Sequence, residues 1–116
     1  MLLTTGLFII TACASLPAPT AELKAAEMAI ANAEQARVSD YASPELSEAR
    51  KELAAANSAV EKEDMELAKR LAEQARVNAE LATAKASAAK AKAVNDDMQK
   101  SNETLKQEMQ RSGAKQ

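Results

Sequence analysis

An almost uninterrupted run of helix-forming residues constrains this chain more than any other feature. Between Thr20 and Arg111 only Pro44 interrupts a helix, because both glycines, Gly6 and Gly113, lie outside that stretch. Alanine, which has the highest helix propensity of all residues, occurs 28 times among the 116 residues. Glu, Lys, Gln, Arg, Met and Leu follow alanine closely on that scale and are also abundant. The sequence therefore predicts an all-α fold.

Two short polar segments divide the helical stretch into three predicted helices, at about 20–40, 44–62 and 65–109. The second connection, at 61–64, is so short that the helices on either side of it are expected to form an antiparallel hairpin. Asp64 has a side chain suited to cap the N-terminus of the third helix, because its carboxylate can accept a hydrogen bond from a backbone N–H of the first turn.

The third predicted helix is much longer than the other two. At 1.5 Å per residue it spans about 68 Å, against about 30 Å for each of the others. The first two helices can therefore cover only its first half. This predicts an antiparallel three-helix bundle, or helical hairpin, from which the rest of the third helix protrudes in the manner of a coiled-coil strand. Residues 111–116 are expected to fray.

Alanine recurs along the third helix at alternating spacings of four and three residues, the heptad pattern of a left-handed supercoil. In the second helix, Leu46, Leu53 and Val60 are spaced by seven residues and form a similar seam. An alanine seam allows close helix packing, toward the lower end of the usual interaxial range of about 8–10 Å. The alternative is a chance match, since alanine is so frequent here. The predicted seam consists of Ala68, Ala72, Ala75, Ala79, Ala82, Ala86, Ala89 and Ala93.

The protruding half of the third helix needs a partner if its apolar residues are to be buried. After the last alanines of the seam come Val94, Met98 and Leu105. A bundle built on alanine also buries little area, so its core is thin. Both points favour self-association, or binding to a helix of a partner protein. The alternative is a solvated single helix supported by weak i,i+4 charge pairs.

The composition argues against an enzyme. The chain has no histidine for acid–base catalysis or metal binding, a single cysteine, and no glycine-rich loop for phosphate. Asp96 and Asp97 form an acidic doublet, but adjacent helical residues point about 100° apart and rarely share a metal ion. The formal charge of −2, with both signs interspersed, gives no electrostatic signature of nucleic-acid binding. We therefore expect no catalytic residues, metal, small-molecule substrate or nucleic-acid partner.

The N-terminus has the features of a bacterial lipoprotein signal. Residues 1–12 are uncharged and mostly apolar, too short to span a bilayer but long enough for a signal-peptide core. The segment Ile10–Cys13 (Ile-Thr-Ala-Cys) resembles a lipobox, after which the precursor is cut and the cysteine acylated. The alternative is an ordinary buried N-terminal segment with a free thiol. A lipobox implies a covalent lipid on Cys13, and we expect no other cofactor.

The residues after Cys13 predict where such a lipoprotein is held. Residue 14 is alanine, whereas aspartate at that position usually marks retention in the inner membrane, so the resemblance implies the periplasmic face of a Gram-negative outer membrane. Several acyl chains on one cysteine give stable anchoring to that membrane. Residues 13–19 contain Pro17 and Pro19 and are predicted to be a lipidated tether to the helical domain at 20–110.

Three segments of the chain resemble the family known as domain of unknown function 4398. They are Ala29–Ala33, Tyr41–Leu46 (Tyr-Ala-Ser-Pro-Glu-Leu) and Leu67–Ala75. The resemblance covers about 20–93 and implies an alanine-rich periplasmic lipoprotein domain, which in longer members precedes an OmpA-like peptidoglycan-binding domain. Since this chain ends before such a domain, direct peptidoglycan binding is not expected. Tyr41 and Pro44 are predicted to pack in the corner between the first two helices.

These features together predict a structural or scaffold protein anchored below the outer membrane. A first alternative is an adaptor that binds an envelope assembly through its third helix, in the way that an amphipathic helix occupies a groove. A second is an envelope spacer similar to the murein lipoproteins, although their C-terminal lysine is replaced here by the ending Ala114–Gln116 (Ala-Lys-Gln). The break at Ser43 and Pro44 also disagrees with one continuous rod.

Overall fold

A computed structural model of the chain describes residues 16–115 and confirms the all-α class over that range. Three helices follow one another, α1 at Thr20–Gln35, α2 at Ser39–Glu61 and α3 at Met65–Gly113. The 49 residues of α3 correspond to a length of about 73 Å, so the predicted long final helix is also confirmed. Residues 1–15, including the predicted signal peptide and Cys13, lie outside the described residues.

Helix α1 begins at Thr20, as predicted, but it ends earlier than the sequence indicated. Pro19, rather than a capping Ser or Thr, occupies the N-cap position, and its carbonyl accepts a bond from the N–H of Leu23 at 3.0 Å. The helix ends at Gln35, before the predicted end near residue 40, because Arg37 adopts the left-handed conformation with φ 54°. The N–H of Val38 then bonds the carbonyl of Ala33 at 3.1 Å, which completes a Schellman motif.

The same motif ends α2. Glu63 has φ 60°, and the N–H of Asp64 donates to the carbonyl of Ala59 at 2.9 Å. Asp64 then caps α3 as predicted, since its Oδ1 accepts a bond from the N–H of Leu67 at 3.1 Å. One residue therefore serves the end of one helix and the start of the next, which makes the connection as short as the sequence suggested.

The break that was predicted across 39–44 takes a different form. The chain turns at 36–38, and α2 already begins at Ser39. Within α2 the only non-helical backbone is at Ala42, with φ −142° and ψ 47°, and the main part of the helix follows it. Pro44 lies close behind this break, where its missing N–H costs no hydrogen bond. Helix α3 also continues to Gly113, so residues 111–113 are helical rather than frayed.

Contacts between side chains show the direction of each helix. Along α2 and α3, Glu45 pairs with Lys85 and Glu52 with Asn78, so the two helices are antiparallel. Along α1 and α3, Glu22 pairs with Lys69, and the carbonyl of Ala36 accepts a bond from Lys90. Helix α1 is therefore parallel to α3, and both shorter helices cover α3 as far as about residue 90. No helix among residues 16–115 is long and apolar enough to cross a membrane.

Candidate functional site

The alanine line of α3 lies where α1 and α2 pack against it, but only over part of its predicted length. Ala89 is half-buried and Ala93 is exposed, at the level where the two shorter helices end. The other members of the line have an exposed fraction of 1% or less: Ala68, Ala72, Ala75, Ala79, Ala82 and Ala86.

The side chains that cover this line are mostly alanines as well. Among the described residues, only Ile30, Val38 and Leu46 are buried core residues larger than alanine. Leu46 is 1% exposed, whereas Leu53 and Val60, predicted with it, are half-buried. The larger core residues therefore concentrate near the connection of α1 and α2, and toward the other end the fully buried hydrophobic residues are alanines, flanked by half-buried side chains such as Val60 and Leu71.

The prediction that Tyr41 and Pro44 fill the corner between α1 and α2 is wrong. Tyr41 is 49% exposed and Pro44 is exposed, while Val38 and Ala42 are buried there with the core. The left-handed turn at Arg37 directs the chain so that Val38 faces inward. The Tyr41 ring instead lies on the outside, with the Nζ of Lys90 at 5.5 Å from its centroid, a cation–π geometry.

Polar side chains join the helices around this core. The guanidinium of Arg50 donates two hydrogen bonds to one carboxylate oxygen of Glu34, at 3.0 and 2.8 Å. The Nδ2 of Asn78 donates to Glu52 at 2.7 Å, and Lys85 donates to Glu45. The contacts of Arg50 and Lys85 are exposed, where each adds little stability, and that of Asn78 is partly buried. They set the register of α2 against α1 and α3, which alanine contacts specify weakly.

Beyond the bundle, α3 continues as a protruding segment, residues 91–113. All its side chains are exposed except that of Asp96, which is half-buried beside Lys92. At 1.5 Å per residue the segment is about 35 Å long. Four large apolar side chains lie along it with exposed fractions of 59–73%; these form the distal stripe, Val94, Met98, Leu105 and Met109.

Comparison with known proteins gives one match. A family model described as Domain of unknown function (DUF4398) matches residues 21–98. The chain belongs to the DUF4398 family. No curated protein and no solved structure matches it. The DUF4398 match includes α1 from its second residue, all of α2, and α3 as far as Met98, so most of the protruding segment lies outside the matched range.

The distal stripe of this DUF4398 protein does not continue the alanine seam, contrary to the prediction that treated them as one line. The seam's heptad frame continues beyond Ala93 to polar residues only, beginning with Asp96, Lys100 and Glu103. The apolar residues begin one position later, at Val94, and one residue corresponds to a rotation of about 100°. The distal stripe therefore faces about a quarter-turn away from the face that α1 and α2 cover.

A short internal repeat underlies the distal stripe, and the sequence reasoning above missed it. The segment 97–101 reads Asp-Met-Gln-Lys-Ser, and 108–112 reads Glu-Met-Gln-Arg-Ser, 11 residues later. Val94 and Leu105 are related by the same offset. An 11-residue period corresponds to about 3.67 residues per turn, so equivalent positions stay nearly in line along a straight helix. A search for periods other than seven would have found this signal.

The described residues contain no group of three or more His, Cys, Asp or Glu side chains that could hold a metal ion. The open grooves of the bundle are shallow surfaces between helices, such as the one beside Met28, Asn32 and Thr83. The feature of this structure best suited to a function is therefore the surface of the protruding segment.

One titratable group in the bundle is clearly perturbed. The hydrogen bond from Lys85, together with a backbone hydrogen bond, lowers the pKa of Glu45 below its ordinary value of 4.5. A carboxylate with a lowered pKa in the folded state stabilises the fold above its ordinary pKa, and this contribution is lost as the pH falls through the lowered value.

We therefore expect Glu45→Gln to lower the midpoint of thermal unfolding at neutral pH, and the difference from wild type to disappear well below pH 4.5. Circular dichroism melts across that pH range would measure this. Glu48→Gln is the matched control, because Glu48 pairs only with Lys51 of its own helix. An equal loss for Glu45→Gln at every pH would contradict the role assigned to the Lys85 pair.

Proposed function

We propose that this DUF4398 protein is a lipoprotein of the Gram-negative outer membrane, held on its periplasmic face through Cys13, that acts as a non-enzymatic scaffold through helix–helix contacts. The observation that carries the proposal is the protruding segment, which leaves the bundle at about residue 90 with an exposed distal stripe. A surface helix with an apolar face that its own chain leaves uncovered is typical of an interaction site.

The N-terminal sequence supports the anchor. Ile10–Cys13 has the residue types of a lipobox, and the helical domain starts only at Thr20, so 13–19 are available as a tether. Helix α1 starts beside Lys69, near the beginning of α3. The tether therefore joins the bundle at the end opposite to the protruding segment, which places the distal stripe away from the anchor.

The folded unit in this proposal is an antiparallel three-helix bundle. The cross-helix pairs Glu22–Lys69, Glu34–Arg50 and Glu45–Lys85 support it, since they join each helix to both others. The bundle acts as a rigid base for the protruding segment, because α3 continues from one into the other as a single unbroken helix. A scaffold needs this rigidity to present a surface at a fixed distance from the membrane.

The first alternative, an adaptor for an envelope assembly, uses the same surface with a helix of a different protein. The exposed methionines of the distal stripe favour it, because flexible Met side chains adapt to varied partners. The second alternative, a spacer similar to the murein lipoproteins, would be supported by recovery of this chain covalently linked to peptidoglycan. The chain turns at 36–38 and at 62–64, so the bundle differs from the single continuous rod that such a spacer would form.

We expect the chain to incorporate labelled palmitate in a Gram-negative host and to fractionate with the outer membrane. Cys13→Ser should abolish the label, since the thiol is the only site for the thioether lipid. Ala14→Asp should keep the label but move the protein to the inner-membrane fraction. Fluorography of separated membranes measures both results. Palmitate incorporation that persists in the Cys13→Ser variant would refute the anchor.

A further inference from the structure

Charged residues follow one edge of the distal stripe in a regular order. An α-helix turns by about 100° per residue. Around the helix axis, Asp97 therefore lies about 60° from Val94 and Lys100 about 120° from it, in the same direction. Glu108 and Arg111 occupy the equivalent places relative to Leu105, because the repeat is 11 residues long. One edge of the stripe thus carries the charge order acidic, basic, acidic, basic along the helix. The other edge carries Asn95, Asn102 and Lys106, with Glu103 as its only acidic residue.

This charge order is self-complementary only when one helix is reversed. In an antiparallel pair the same edge of each helix faces its counterpart, whereas in a parallel pair opposite edges meet. Reversal places Asp97 opposite Arg111 of a second copy and Lys100 opposite Glu108 of a second copy, and two-fold symmetry repeats both pairs. In a parallel pair with equal register, Asp97 would face the neutral Asn102 of the other chain.

The apolar residues fit the same register. With Asp97 opposite Arg111, residue 98 is level with residue 110, so Met98 lies beside Met109 of the other copy. Leu105 lies beside Ser101 of the other copy, so a large side chain meets a small one in that layer. Val94 lies beside Ser112 in the same way. One alignment of two identical helices therefore satisfies the charges, the methionines and the alternation of large and small residues together.

We propose that the distal stripe binds the distal stripe of a second copy of this chain, with the two α3 helices antiparallel. This rests on the proposed scaffold function and gives it a partner and an orientation. The two bundles then lie at opposite ends of a rod about 120 Å long, from the length of α3 and the overlap of about 19 residues. Because the anchored ends are also opposite, the rod lies along the membrane surface rather than upright.

Charge reversal on the edge of the stripe tests the pairing. Asp97→Lys with Glu108→Lys makes the edge wholly basic, and Lys100→Glu with Arg111→Glu makes it wholly acidic. The background is the full chain with Cys13→Ser in a mild detergent, and light scattering over a concentration series gives the mass. We expect a dimer for the parent and a dissociation constant raised about tenfold or more for each variant alone. An equimolar mixture of the two variants should form the dimer again.

A control separates this result from a general effect of charge. Asp96→Lys with Gln107→Lys adds positive charge at the same spacing of 11 residues but about 140° or more from Val94, on the back of the helix, and it should dimerise like the parent. Circular dichroism of each variant checks that α3 stays helical. A parent chain that is monomeric at every concentration would overturn the pairing, as would a mixture of the two variants that fails to associate.

Cysteine crosslinking tests the orientation. In the proposed register Thr104 faces Thr104 of the second copy, whereas Ser101 faces Leu105. In the Cys13→Ser background, oxidation should therefore link Thr104→Cys to itself efficiently and Ser101→Cys poorly. The reverse result would show parallel pairing and overturn the proposal.

The outcome for the anchor is independent of these experiments. A chain that carries palmitate on Cys13 but stays monomeric would overturn the pairing and leave the lipoprotein assignment in place. A chain that dimerises but carries no lipid would do the opposite. In-cell crosslinking from Met98 to a different envelope protein, with no product of twice the chain mass, would also overturn the pairing, and it would favour the adaptor alternative.

Discussion

Replacing Ala79 with leucine is expected to destabilise the bundle strongly. Ala79 is fully buried and packs in the core cluster with residues of all three helices, among them Ala33 and Ala49. An alanine contact leaves no space for the extra carbons, so leucine has to push α2 away from α3 or adopt a strained rotamer. Overpacking of this kind costs about 1–3 kcal/mol. For a domain of this size that corresponds to roughly 4–8 °C in the unfolding midpoint per kcal/mol.

The matched control is Ala88→Leu, on the same helix but exposed. Both changes add the same side chain to a helix and leave helix propensity almost unchanged. Thermal or urea unfolding should therefore show a loss for Ala79→Leu and a change of about 0.5 kcal/mol or less for Ala88→Leu. Equal stability of the two variants would mean that α2 and α3 are not held at the close distance that the alanine line implies.

The periodicity of alanine contained the information needed to identify the packed face of α3. A heptad spacing marks one side of a helix whatever the tertiary structure, and the positions from Ala68 to Ala86 are those that α1 and α2 cover. Capping chemistry is similarly local, which is why the sequence alone predicts the role of Asp64. Both features depend on residues within a few positions of one another along the chain.

The corner between α1 and α2 could not be predicted in the same way. It depends on Arg37 adopting a left-handed backbone, a conformation that glycine favours and that arginine rarely shows. Without a glycine as a signal, the polar residues from Ser39 onward appeared to be the turn. The displacement of the turn to 36–38 brings Val38 into the core and leaves Tyr41 outside. Aromatic residues are often buried, but this bundle of closely packed alanines has no room for a ring.

The protruding segment shows a different reason for error. Apolar residues after Ala93 were assigned to the alanine seam because they follow it in sequence, although their period is 11 rather than seven residues. A change of period rotates the apolar face, so α3 carries two apolar faces in succession, first the alanine line and then the distal stripe. Among the described residues, α1 and α2 cover the first face, and the second is the face that we propose binds another molecule.

Shortening Leu46 to alanine is expected to have the largest effect of any single core substitution. Leu46 is 1% exposed and is the largest fully buried side chain of the described residues. Removing its three carbons beyond Cβ leaves a cavity that helices already in close contact cannot close, and such changes cost about 2–5 kcal/mol. Few other large side chains share the core, so much of the total stability, about 5–15 kcal/mol for an ordinary domain, depends on this position.

Leu105→Ala makes the same change in the distal stripe, where the side chain is 60% exposed. At low concentration its free energy of unfolding should stay within about 0.5 kcal/mol of that of the parent. It should weaken dimerisation, because it removes the largest side chain from the proposed pairing surface, whereas Leu46→Ala should lower stability at every concentration. Measuring unfolding and mass for both variants separates the two faces of α3. If Leu105→Ala instead unfolded the isolated chain, the protruding segment would be part of the intramolecular core, and the surface assigned to a second copy would not be free.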